Sequence, residues 1–521
     1  MRSHCASFLA ILLASALGLT PNPSAGQEGC EAVAPGNDLT RALTVGGMRI
    51  TYITNPHFLC AGGVEIWADS AQAFPDRGYS HLIGNVRYQE YGREMRADDA
   101  RYFTNEGRLQ AEGSLVITDE EQGSSIENGN LVYLLRTDFR DIAEMTVETG
   151  VDGIRPIAVL TPTQEDQPDA RGDKYKVVGD RIFLLGANYF TASGDVRIEQ
   201  DSLSAFADSA EYDPERRGLV LEGAARVLSA DYDLLGRTIT LSAPGSPRNL
   251  IHAQKEARLT GGDVLLTSAQ IFLFIENDQL ERLVATPIAD DTSAVADSVD
   301  AERPQATVED FVLTADSVEI RAPAQKVERV FAAGSARSVS QAADSLTVDV
   351  LPDVARTDWL EGDTVIVNFT KQDPIPSAPR MVSETAELEV DDIIAIGSAR
   401  SLYRLPPNDS LAQPGIDPPA VHYVVGSEIR IEMRDRQVES MEVIGQTEGV
   451  HLEPLQRRPP PDTLQTDTTA IFDTLTLSHL SGEPAPVHRV PEIARRPSTS
   501  PPRGPTGHPV RNQLWSHPWI R

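Results

Sequence analysis

The strongest constraint on this chain is that it repeats itself. Ala97-Asp98-Asp99-Ala100-Arg101-Tyr102 returns as Ala207-Asp208-Ser209-Ala210-Glu211-Tyr212, and again as Ala68-Asp69-Ser70-Ala71 and Ala315-Asp316-Ser317-Val318-Glu319-Ile320. Looser copies begin at Gly179-Asp180 and Gly362-Asp363, and Thr267 and Ser427 take the aspartate's place in two more. A glycine follows at a near-constant distance. Fifteen residues separate Asp69, Asp98 and Asp208 from Gly84, Gly113 and Gly223; fourteen separate Asp180 from Gly194; eighteen separate Asp316 and Ser427 from Gly334 and Gly445. Gly334-Ser335-Ala336-Arg337 recurs verbatim as Gly397-Ser398-Ala399-Arg400. A fixed internal period marks a structure stacked from one small unit, none of which buries its apolar face alone.

Within each copy the second and fourth residues after the aspartate are apolar or Tyr, while the first and third are mostly polar. Period-two alternation puts one face on a core and the other in water, as in a half-buried antiparallel strand. The spacing predicts a unit of strand, turn and strand, followed by a glycine-started strand. The aspartate is expected to bond local backbone at a turn, and the glycine to take positive φ where the chain reverses. No sustained i, i+3, i+4 stripe appears beyond the N-terminus. The body, about residues 45 to 452, is therefore expected to be all-β: an elongated stack of antiparallel strands with a continuous apolar interior. Such a stack leaves an unpaired strand at each end, open to a partner's strand.

The chain divides accordingly. Residues 1–25 read as a cleaved signal peptide, with Arg2 before an apolar run from Phe8 to Leu19 and small residues around Ser24-Ala25-Gly26. That run is too short to span a bilayer, which takes about 20 residues. An N-terminal segment, 26–44, precedes repeats over 45–285. An acidic loop, 286–309, separates them from further repeats with Pro-rich insertions over 310–452. Stretches 155–172, 371–381 and 405–420 also break the period and read as loops. From Glu453 to Arg521 the alternation fades and 13 of the 36 prolines gather, so 453–521 reads as a disordered tail. Export leaves Cys30 and Cys60 after the loss of Cys5, and in an oxidising compartment this pair is expected to close one disulfide.

Composition limits the function. Against 77 Asp and Glu stand 46 Lys and Arg, a formal charge of −31. Phosphate backbones are bound by clustered cations, so a nucleic-acid partner is excluded. The ten histidines show no His-Glu-x-x-His and no zinc spacing with cysteine. There is no nucleophile elbow, phosphate loop or dinucleotide fingerprint. No catalytic residue, metal or cofactor is expected. The aspartates recur once per unit, which suits a structural role.

The unit Gly-x-Val-x-Ile, Ala-Asp-x-Ala-x-Tyr, Leu-x-Ala-x-Gly resembles the organic-solvent-tolerance (OstA-like) repeat of the lipopolysaccharide-transport proteins. That family includes the LptA-like periplasmic bridge and the N-terminal domain of the LptD translocon. The resemblance is clearest from Gly84 to Ile117 and from Gly194 to Leu228. It implies a V-shaped β-jellyroll whose apolar interior holds the acyl chains of lipopolysaccharide or a related lipid. It also implies head-to-tail association through edge strands, other transport-bridge components and an outer-membrane translocon as partners, and a periplasmic location in association with the outer membrane. Carried onto this sequence, the lipid-facing interior comprises Val86, Tyr88, Ala100, Tyr102, Ile182, Leu184, Val196, Ile198, Ala210, Tyr212, Ile271, Ile320, Val367 and Ile431. Small residues at the second position beside larger ones at the fourth are expected to leave room for a chain. Arg337 and Arg400 are candidate headgroup contacts. The competing reading is a structural β-scaffold or adhesin with a self-filled core. A third is a polysaccharide-active solenoid, which needs two aspartates converging on one groove.

Overall fold

The computed structural model describes residues 30–454, leaving out 289–302, 371–388, 407–415 and several shorter stretches between strands. The expected signal peptide, the Pro-rich run at 371–381 and the tail from 455 lie outside the described residues. Among those described, the chain is β-structure throughout, with short 3-10 turns such as Pro75–Arg77 and Asp353–Ala355 as its only helical elements. Thirty-two strands form one hydrogen-bonded sheet, and the short pair Thr163–Gln164 and Gln167–Arg171 forms another. The ladder is antiparallel and follows chain order closely, as the alternation requires.

The long strands have two halves with different neighbours. The first half of Tyr79–Glu90 pairs with Ser70–Phe74 and the second with Val64–Trp67. Arg93–Phe103 likewise pairs first with Val116–Asp119 and then with Arg108–Glu112. From Tyr189 to Glu276 six strands run side by side through both halves. The sheet is thus two walls joined along a line of corners. Their inner faces meet in one apolar core that runs from Phe58 to Ile431.

Each corner is a β-bulge. Ile83 stands opposite Asp99 and Val86 opposite Ala97, so the glycine strand carries one extra residue. Gly84 and Asn85 take φ of 78° and 45°, and the same left-handed pair recurs at Gly194-Asp195, Gly223-Ala224, Gly334-Ser335 and Gly397-Ser398. The aspartate of the preceding strand packs against the glycine Cα. A Cβ on Gly84 would lie 2.5 Å from the Asp69 carboxylate, and one on Gly113 2.7 Å from that of Asp98. The Asp69 N–H donates to the Gly84 carbonyl at 2.8 Å, while the Asn85 amide donates to the Asp69 carboxylate at 2.8 Å. Asp98, Gly113 and Ser114 make the same clasp at 2.9 Å and 2.9 Å. The expectation that aspartate marks a turn and glycine a chain reversal is therefore corrected: Asp98 and Gly84 sit inside strands, at the point where a strand passes from one wall to the other.

Several boundaries also move. The N-terminal segment is part of the sheet, since Thr40–Val45 pairs with Met48–Thr54 and Glu31–Ala32 with His57–Cys60. Cys30 and Cys60 are joined by a disulfide that clips this edge. The stretch 155–172 contains the strand Ile157–Leu160, and the acidic loop 286–309 ends in the strand Gln305–Val308. Both runs are four residues long, too short for alternation to distinguish them from loop.

At two of the corners where the aspartate lies between separate short strands, an arginine completes the clasp. Arg155 pairs with Asp180 at 2.9 Å and donates to the Gly194 and Asp195 carbonyls. Arg303 pairs with Asp316 at 3.0 Å and donates to the Gly334 and Ser335 carbonyls at 3.2 and 3.1 Å. Near the C-terminal end, residues 346–358 fold over the outer face of one wall. Val348, Leu351 and Ala355 bury Trp359, Leu402 and Val421 beneath them, and Arg404 is held by Asp358 at 2.8 Å.

Candidate functional site

The interior between the walls is the feature that the repeat builds over and over. Alternation decides which side chains enter it. Ala97 and Ala100 flank Asp98, Ala207 and Ala210 flank Asp208, and all four are buried. At these two corners the walls converge on small side chains, although the same place after Asp180, Asp316 and Asp363 is filled by Ile182, Val318 and Val365. Two residues further out they have separated enough for Tyr102 and Tyr212. In these two copies the small-then-large order follows the taper of the wedge.

All fourteen residues assigned to the interior face point inward. Val86, Tyr88, Ala100, Tyr102, Ile182, Val196, Ile198, Ala210, Ile271, Ile320, Val367 and Ile431 are buried in the common core, and Leu184 and Tyr212 are half-buried against it. The walls meet through aromatic contacts. The Tyr88 and Tyr133 rings lie edge-on at 6.2 Å, and Tyr175 reaches Phe190 at 5.8 Å and Tyr212 at 6.3 Å. Burial pushes the Tyr102 and Tyr232 phenols up to about 12, so both stay neutral. Two voids between the walls are small. One near Ile117, Ile126, Met145 and Leu184 measures about 30 Å³, and another beside Ala306, Leu313, Val330 and Phe369 about 10 Å³. These hold at most a water or two.

Toward the mouth of the wedge the lining turns polar in one place. Tyr133, on the strand Asn130–Leu134 of one wall, reaches the hairpin at residues 90–93 of the other. Its hydroxyl donates to Glu90 at 2.9 Å and accepts from Arg93 Nη1 at 2.7 Å. Tyr88 also donates to Glu90, at 3.0 Å, and Arg93 pairs with the buried Asp119 at 2.9 Å. Burial, then the Glu90 charge, pushes the Tyr88 phenol well above its ordinary value. The alternation could not indicate this network, because its members come from four strands of different sequence separation.

Arg337 and Arg400 do not reach the interior. Arg337 lies on an outer face, paired with Glu361 and stacked over Trp359 at 4.9 Å, and Arg400 is exposed. The repeated aspartates are each held at their own corner, as are Asp208 against Gly223 and Asp363 against Gly397. The latter pairing was hidden by the long insertion between its two halves. At the ends of the stack, among the described residues, Thr40–Val45 pairs on one side only, with Met48–Thr54. Gln437–Ile444 and Glu448–Leu452 both pair on one side only, with Ala420–Arg434.

No protein-family profile matches the chain, and no curated protein matches it. Among solved structures it is similar to LptH of Pseudomonas aeruginosa, described as the LptA homologous periplasmic component of the conserved lipopolysaccharide transport device. The identity is 18%, over 26% of this chain and 82% of that one, with a TM-score of 0.19. At that score the functional reading rests on the geometry of this chain alone.

Proposed function

We propose that this protein is a non-enzymatic, periplasmic lipid-binding bridge that carries lipopolysaccharide or a related lipid toward the outer membrane. The observation that carries the reading is the uninterrupted apolar interior between two walls that share only a line of bulged corners. Walls hinged along one edge can part at the other, and an acyl chain entering there would replace side-chain contacts of the same chemistry at little cost in buried apolar area. The one-sided strands at both ends support addition of a neighbour's strand, whether from a second copy, another bridge component or an outer-membrane translocon.

The filled interior favours a second reading, a structural β-scaffold whose core is complete without cargo. A photo-crosslinking residue at Tyr102 or Tyr212, introduced in cells, separates the two. Capture of a lipid at either position is the expected result. Cross-links confined to the opposite wall would sink the lipid reading and leave the scaffold.

A further inference from the structure

We infer that the Tyr133–Glu90–Arg93 network is a latch on the mouth of the interior, and that the cleft beside it receives the hydroxylated, uncharged headgroup of a lipid. This rests on the lipid reading above and narrows it to a lipid whose head presents sugar hydroxyls and no phosphate to this cleft. Three features carry it. The first is position: Tyr133 belongs to one wall and Glu90 and Arg93 to the other, so these bonds tie the walls together where an entering chain would part them. The second is a cleft of about 340 Å³ that opens directly onto the same residues. Its rim is apolar and exposed at Tyr91 and Ile142, as an entry for a chain requires.

The third is charge. The cleft is lined by the carboxylates of Glu90, Asp119, Glu121 and Asp141 against the guanidiniums of Arg93 and Arg136. Four acids to two bases repel a phosphate but offer acceptors and donors together, which is what a sugar hydroxyl, both donor and acceptor, matches. A hydroxyl of the headgroup would take the place of the Tyr133 hydroxyl between Glu90 and Arg93. The latch would then open as the head is bound, coupling headgroup recognition to admission of the chain.

The test uses the full chain and three probes below their micellar concentrations where they have one: dodecyl maltoside, dodecyl phosphate and free maltose. The wild type is expected to bind dodecyl maltoside at least tenfold more tightly than dodecyl phosphate, and maltose more weakly than either. Tyr133→Phe removes the hydroxyl but keeps the ring, Tyr88 still bonds Glu90, and Asp119 still pairs with Arg93. It is expected to raise dodecyl maltoside affinity three- to tenfold, because a binding-competent open mouth is more populated. Circular dichroism and the thermal midpoint of Tyr133→Phe check that the fold is intact. Equal affinity of the variant and the wild type, or dodecyl phosphate binding as well as the maltoside, overturns the proposal. A lipid cross-link at Tyr212 together with an unresponsive Tyr133→Phe removes the latch and keeps the lipid reading. Absence of both amphiphile binding and cross-link removes the two together.

Discussion

Replacing Gly223 by alanine would put a methyl group where the Asp208 side chain already packs, on a backbone with φ of 79°. Two costs add: the left-handed conformation for a residue with a Cβ, about 1–2 kcal/mol, and displacement of the aspartate. We expect Gly223→Ala to destabilise by about 2–3 kcal/mol in urea unfolding, and by only about 1 kcal/mol in an Asp208→Gly background, where the β-carbon that the methyl would otherwise meet at 2.7 Å is gone. Equal costs in both backgrounds would show that the clasp is not what selects the glycine. The pairing of these residue types was legible from their spacing of fifteen, since nothing but a recurrent contact keeps two residues at a constant distance. Their role was not legible. A corner inside a strand and a turn between strands make the same demand on glycine, and only the register of Ile83 and Val86 against Asp99 and Ala97 distinguishes them.

Strands rich in alternation were readable, and short ones were not. Leu203–Asp213 buries Ala205 and Ala207 before its corner and Ala210 after it, the period of two shifting by one residue at Asp208, whereas Gln305–Val308 offers too few residues to show a period. The first strand, Glu31–Ala32, has two residues and holds its place through the Cys30–Cys60 disulfide beside it. Closing a loop of this length stabilises by about 3–4 kcal/mol in the chain-entropy picture. In a stack each unit touches only its neighbours, so the loss should stay local. The double variant Cys30→Ser, Cys60→Ser is expected to speed amide exchange and proteolysis across Glu31–Trp67 while leaving Gly218–Glu276 unchanged. Protection that falls equally in both regions would contradict that independence.

At the scale of the whole described body, stability should be graded along the stack. The strands from Gly218 to Glu276 have neighbours on both sides in both walls, while Gln437–Ile444 and Glu448–Leu452 have one neighbour each and mostly exposed side chains. Hydrogen exchange is expected to be slowest in the former and fastest in the latter, with intermediate rates between them. Exchange of all strands in one step would mean that the body unfolds as a single unit. What the amino-acid order alone determined is the all-β class, the inward face of strands with a clear period, and the places of the recurring aspartates and glycines. Those follow from local rules, namely alternation along an extended chain and the conformational freedom of glycine. Only the tertiary structure decided that the strands pass at their corners into a second, facing wall and that Tyr133 bridges the mouth between the two. Each of these depends on how far apart the two walls stand, and that distance is set by packing between residues of the two walls, many of them far apart along the chain.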